Sequence, residues 1–172
     1  MNAAVDNGAT TAQDGHSTVI HGPEAMHVGL CNLVAKAESH IQALGPILDP
    51  MLFSTSRVTE ALTHFLSLNR SNRVDLLVED SRQVLRDDAR LIGLLQKMSE
   101  YAELRELAEE DRGQRDLFFC VDRRHYLHQP DISRAECLLA DNNRDIAMTL
   151  ANRFNDCWHR AVPVALSRTL GL

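Results

Sequence analysis

Lysine is almost missing from this chain: Lys36 and Lys97 are the only two among its 18 basic residues. The remaining positive charge is arginine, outnumbered by 24 acidic residues, for a net charge of −6 and a pI near 5.7. Binding to nucleic acid in general rests on clustered Lys and Arg against phosphates, so that class of function is not expected. A local anion site stays open, because a guanidinium fork grips phosphate or carboxylate in two places at once. Cysteine is sparse too. Cys31, Cys120, Cys137 and Cys157 show neither CxxC nor zinc spacing and read as buried free thiols. No apolar run approaches the roughly 20 residues needed to cross a membrane. The start of the chain has no basic stretch leading into an apolar core, and with unpaired thiols this predicts a cytoplasmic protein. Glycine motifs for chemistry are missing as well: there is no GxxxxGK[ST] loop, no GxGxxG after a strand and no GxSxG elbow. The Gln/Arg-x-x-Gly-x-Gly/Ala turn that cradles coenzyme A in acetyltransferases is also absent. No cofactor and no metal is expected.

What is present is the material of one α/β domain. The 172 residues, 44% apolar and 24% charged, suit a single soluble domain with a substantial core. The run Leu117-Phe118-Phe119-Cys120-Val121 is apolar on both faces, which predicts the central strand of a layered sheet. Residues 1–22 have no periodicity and are expected to be a disordered tail, or a tail that binds a partner. A first helix opens at Gly22-Pro23-Glu24 and ends near His40. Ile41–Leu48 reads as an imperfect strand, placed at an edge or interrupted by Pro46. Asp49–Ser54 reads as a turn, and Ser54 or Thr55 caps a helix through Leu66. Strands are predicted at Arg73–Asp80 and Ala102–Leu107, with one long helix between them from Ser81 to Met98. Beyond Pro130 the pattern is irregular until Asp141-Asn142-Asn143 starts a last helix, with Ile146, Leu150, Phe154 and Trp158 four residues apart. Pro163 closes it, and Leu166–Leu172 reads as a short segment tucked against the body. Strands alternating with helices in this way predict a mixed β-sheet flanked by helices, with residues 23–172 as the domain.

In the order of these segments, residues 23–172 resemble one half of a phospholipase D-type domain. The resemblance is carried by Ile47-Leu48-Asp49-Pro50 and the Val58–Leu62 helix, then by Arg73–Asp80, the strand at 117–121, and a closing helix bearing Phe154 and Trp158. It is closest to divergent bacterial members of that superfamily. Its catalytic strand has the form His-x-Lys-(four residues)-Asp, in which the His attacks phosphorus and the Lys holds phosphate oxygens. Laid on this chain, Asp122 falls at the Asp position, but the His position is Arg115 and the Lys position is Leu117. Guanidinium stays protonated and cannot be the nucleophile, and a leucine neither donates a hydrogen bond nor carries charge. The resemblance therefore implies a non-catalytic phospholipase D-like module that binds an unknown protein or a small anionic ligand. Because catalytic members bring two halves together, it also implies a homodimer. The alternative is a diverged enzyme, a phosphodiesterase or an acyltransferase.

Ligands of α/β sheets bind at strand ends, so Asp49, Asp80, Arg115, Asp122 and His125 are the candidate binding residues. His125 and His128 face opposite ways if they lie on a strand. On a turn they could join Asp122 or Asp131 around a metal, although ordinary surface histidines are the simpler reading. Arg82 and Arg86, one turn apart at a helix start, could grip an anion, with Asp87 and Asp88 acting against it.

Overall fold

Leu117–Val121, buried at every position, lies fourth in an eight-stranded sheet. A computed structural model of the chain describes residues 15–166. Within them the elements are β1 (Ser17–His21), α1 (Gly22–Lys36), β2 (His40–Gly45), α2 (Pro50–Phe53), α3 (Ser56–Leu68), β3 (Arg73–Val78), α4 (Ser81–Asp87), α5 (Ala89–Lys97), β4 (Ala102–Glu106), β5 (Leu117–Val121), β6 (His125–Gln129), β7 (Glu136–Ala140), α6 (Arg144–Arg160) and β8 (Val162–Pro163). The sheet runs β1-β7-β6-β5-β2-β3-β4-β8. Its β2-β3-β4 portion is parallel and every other pairing is antiparallel. The mixed sheet expected from the sequence is what forms.

Alternation along β5 divides the molecule into two cores. Leu117, Phe119 and Val121 join Leu30, Phe53, Phe65 and Leu95 under α1 to α5. Phe118 and Cys120 join Tyr126, Leu150 and Phe154 under α6. A strand covered above and below has to be apolar at every position, and this one is. All four cysteines are buried free thiols, and burial pushes those of Cys120 and Cys137 up to about 12.

Several boundaries differ from the sequence reading. Ser17–His21, inside the tail expected over 1–22, is a strand paired with β7; residues 1–14 lie outside the described residues. This edge strand is held mainly by backbone bonds and leaves most of its side chains exposed, so it has no apolar alternation to betray it. The strand at Ile41 is not an edge. It lies between β3 and β5 and stops at Gly45, before Pro46 would remove a ladder donor. The turn expected at Asp49–Ser54 is the short helix α2, capped by the Asp49 carboxylate on the Met51 N–H.

The region after Val121 holds two unanticipated strands, β6 and β7. They follow a tight turn in which Asp122 and Arg123 both have positive φ, 53° and 54°, and the Arg124 N–H bonds the Val121 carbonyl. That is the geometry of a type I′ hairpin turn, normally announced by Asn-Gly or Asp-Gly. The C-terminal end is corrected similarly. Val162–Pro163 adds a two-residue strand to β4, and Val164 and Leu166 pack on the larger core; residues 167–172 lie outside the described residues.

The helix expected from Ser81 to Met98 is two helices. The break is at Asp88, 2% exposed, whose carboxylate caps α5 at the Leu91 N–H (2.9 Å) and accepts from the Ser54 hydroxyl. A buried carboxylate satisfied by a cap and a hydroxyl is costly to disturb. Asp88→Ala should lower stability by about 1–3 kcal/mol, read as a shift in the urea midpoint with unchanged slope.

Candidate functional site

Strand direction sorts the candidate residues into two groups. The C-terminal ends of β2 and β3 lie beside the beginning of β5 and the end of β6, because Leu44 pairs with Phe118 and Leu117 with Gln129. Asp49, Asp80 and Arg115 therefore belong to one end of the sheet. Asp122 and His125 belong to the other, beside Ile41 and Val121. Arg115, Asp122 and His125 lie within ten residues of one another in the sequence, but the five-residue strand β5 separates Arg115 from Asp122.

At the far end Asp122 is fully engaged. Its carboxylate accepts from the N–H groups of Glu38, Ser39 and His40 at 2.8–2.9 Å and from the Ser39 hydroxyl at 2.8 Å. Burial acts to raise its pKa, but the bonds from His40, Glu38 and Ser39 outweigh burial and hold it below the usual carboxylate value. This bracing ties the β5–β6 turn to the start of β2 and sustains two residues in the left-handed region. His125 Nδ1 lies 2.5 Å from the Asp141 carboxylate, which also takes the Lys36 ammonium. His128 points to the other side of the sheet and meets Asp116 at 2.9 Å. Among the described residues, no group of three or more His, Cys, Asp and Glu side chains could hold a metal ion.

The arginines suspected of gripping an anion are already engaged. Arg82 lies on the Asp80 carboxylate, which its hydrogen bonds lower to about 2, and Arg86 lies on Asp87. Arg115 lies 3.0 Å from Asp131.

The near end contains a cleft of about 320 Å³. Its walls come from the start of α1 (Met26), the β2–α2 connection (Ile47, Asp49, Met51), β5 (Leu117) and the loop after β6 (Ile132, Arg134). Leu117, at the position the resemblance gives to lysine, is 4% exposed and forms part of this wall. Its side chain leans over the end of β2 because Gly45 leaves room: a Cβ at Gly45 would meet Leu117 Cδ1 at 2.8 Å and the Ile47 carbonyl at 3.1 Å. The loop is fixed by the Ile132 N–H to the Arg115 carbonyl (2.8 Å) and by the Gly22 N–H to the Ala135 carbonyl (2.9 Å). Of the residues expected from the sequence at this end, Asp49 lines the cleft, and Asp80 and Arg115 are not among its lining. Ile132, Arg134 and Gln129 were missed because β6 and its loop were not anticipated.

A family model described as a domain of unknown function (DUF7931) matches residues 22–170. The chain belongs to the DUF7931 family. No curated protein matches it. Among solved structures, this DUF7931 chain is similar to Nuc from Salmonella typhimurium, a phospholipase D family member, with a TM-score of 0.65 and 14% identity over 87% of this chain and 97% of that one. It is similar to NucT from Helicobacter pylori, with a TM-score of 0.61 and 12% identity over 87% of this chain and 99% of the other. The archaeal chromatin protein TrmBL2 matches with a TM-score of 0.63 and 13% identity, over 90% of this chain and 57% of its own. The DUF7931 domain thus has a phospholipase D-like fold.

On the opposite face, Asp116 accepts two bonds of 2.7 Å from Arg153 and one of 2.9 Å from His128, and Arg153 also donates to the Gln114 side-chain amide oxygen. Burial works to raise the Asp116 carboxyl, but the Arg153 and His128 bonds hold it well below the usual carboxylate range. A folded-state value below the unfolded one, about 3.9, contributes stability above that pH and loses it as pH falls. Unfolding measured from pH 6 down to pH 3 should therefore show a shallower loss in Asp116→Asn than in the parent, and an unchanged slope would refute the assignment. Gly45→Ala should destabilise by about 1–3 kcal/mol by pushing Leu117 aside, and most of that cost should vanish in a Leu117→Ala background.

Proposed function

We propose that this chain is a non-catalytic phospholipase D-like binding module whose ligand sits in the cleft beside Leu117. The observation that carries the reading is the state of the two positions where the resemblance puts the nucleophile and the phosphate clamp. Leu117 is built into an apolar wall, and Arg115 faces Asp131 with a guanidinium that has no basic lone pair. Displacement at phosphorus needs a group that can give up a proton and attack, together with positive charge on the equatorial oxygens. Neither position supplies its share. The third motif residue, Asp122, braces backbone at the opposite end of the sheet and has no route to the cleft.

A cleft that is mostly apolar and has a few polar groups, at the ends of sheet strands, is a common form of small-molecule site. A domain of this kind also fits assembly as a homodimer, as in catalytic members of the superfamily that bring two halves together. The test is direct. Purified protein incubated with bis(4-nitrophenyl) phosphate should release nitrophenolate no faster than buffer across pH 5 to 9. Release that follows the protein through purification and disappears in Arg115→Ala would establish an enzyme instead.

A further inference from the structure

We infer that the open edge of β1 pairs antiparallel with β1 of a second copy of this chain, joining two sheets into one; this rests on the homodimer reading above. β1 is the last strand on its side of the sheet, and among the described residues none pairs with its outer edge. The phase of its ladder fixes which backbone groups point outward. The Gly22 N–H bonds the Ala135 carbonyl, and these two residues continue the register in which Ile20 faces Cys137 and Thr18 faces Leu139. Opposed residues of an antiparallel pair alternate between bonded and non-bonded. Thr18 and Ile20 therefore bond β7, while Ser17, Val19 and His21 turn their N–H and C=O groups to the edge. These three are symmetric about Val19. A two-fold axis through the sheet at that point sets Val19 against the partner's Val19 and Ser17 against the partner's His21. Every outward group then has a match, in the commonest symmetry of soluble assemblies.

Natural sheets blunt an exposed edge with a very short strand, a proline, a lysine or a bulge. The opposite edge follows that rule, since β8 has two residues and one of them is Pro163. β1 has none of these devices. Its five residues, Ser-Thr-Val-Ile-His, run in unbroken register with β7. Their start is also fastened: the Gly15 carbonyl accepts from the Asn143 amide at 3.0 Å, and Ser17 Oγ lies 2.6 Å from the Tyr126 hydroxyl. Apolar surface accompanies the edge. Val19 is 48% exposed, and Val28 of α1, 44% exposed, lines a groove with Ile20 and Leu139 between α1 and β1. Two copies with a net charge of −6 repel over most of their surfaces, but β1 carries no Asp, Glu, Lys or Arg. A seam along this strand sets no like charges face to face within it.

Sedimentation equilibrium and amide hydrogen exchange on the full chain test this together. With rising concentration the mass should approach twice 19.3 kDa. In the dimer the amides of Ser17, Val19 and His21 should be protected as well as those of Thr18 and Ile20, which β7 protects in either state. Val19→Lys sets two ammonium groups opposite each other, and Val19→Pro removes an outward N–H while sparing the bonds to β7. Each should weaken association roughly tenfold or more with an unchanged far-ultraviolet spectrum. The outcomes separate two failures. A dimer in which those three amides exchange freely, or one that neither variant weakens, overturns the β1 seam and leaves the homodimer standing. A mass of 19.3 kDa at every concentration overturns both, and protected edge amides in that monomer would mean that another segment covers the strand.

Discussion

The constraint on which the rest depends is that β5 has no exposed face. Five consecutive side chains, Leu117 to Val121, enter two different cores, so each must be apolar and none can titrate usefully. Chemistry in such a strand is confined to its ends. Whatever lies just before Leu117 belongs to the cleft end, and whatever lies just after Val121 belongs to the turn end. Arg115 and Asp122 are close in sequence and distant in space for that reason alone. The same constraint gives Asp122 its role, since a carboxylate at the end of a buried strand is best satisfied by backbone N–H groups. It meets three of them at the start of β2.

The fold was legible where packing writes a period into the sequence. The two-faced burial of β5, the half-exposed alternation of Ala102–Glu106 and the four-residue spacing of Leu150, Phe154 and Trp158 all arise from side chains meeting a core. What escaped is held by other means. β1 is fixed by backbone pairing to β7, and β8 is only two residues long. The β5–β6 turn uses Asp-Arg where the usual signal is a glycine, because tertiary bonds to Asp122 offset the cost of positive φ. The helix break at Asp88 is legible only once its Ser54 partner is known, 34 residues away. Missing β6 meant missing the loop that closes the cleft, so half of the candidate site was hidden by one unrecognised turn.

Three of the ion pairs are local in sequence. Arg82 pairs with Asp80, Arg86 with Asp87 and Arg105 with Glu103, each within two residues in sequence. Such exposed pairs contribute little to stability, but they cancel positive charge before it can gather into a patch. A partly buried cluster, Asp116 with Arg153 and His128, fastens α6 to β5 and β6 across the smaller core. Arg153 further lies 5.3 Å from the centre of the Phe118 ring, so the same side chain joins the charged and apolar parts of that contact.

The leucine at position 117 and the apolar character of the cleft are therefore one feature. An ammonium at position 117 would stand where a leucine now touches Gly45, among Met26, Leu52 and Ile47, with no carboxylate beyond Asp49 at the rim to balance it. Desolvating that charge would cost several kcal/mol unless a bound anion met it. Restoring one residue would leave the nucleophile position still occupied by Arg115, which the loop holds through its backbone carbonyl as well as through Asp131. A phosphate clamp needs its positive charge, its attacking group and its polar walls together. The walls here are already hydrocarbon, and the arginine two residues before Leu117 serves the loop.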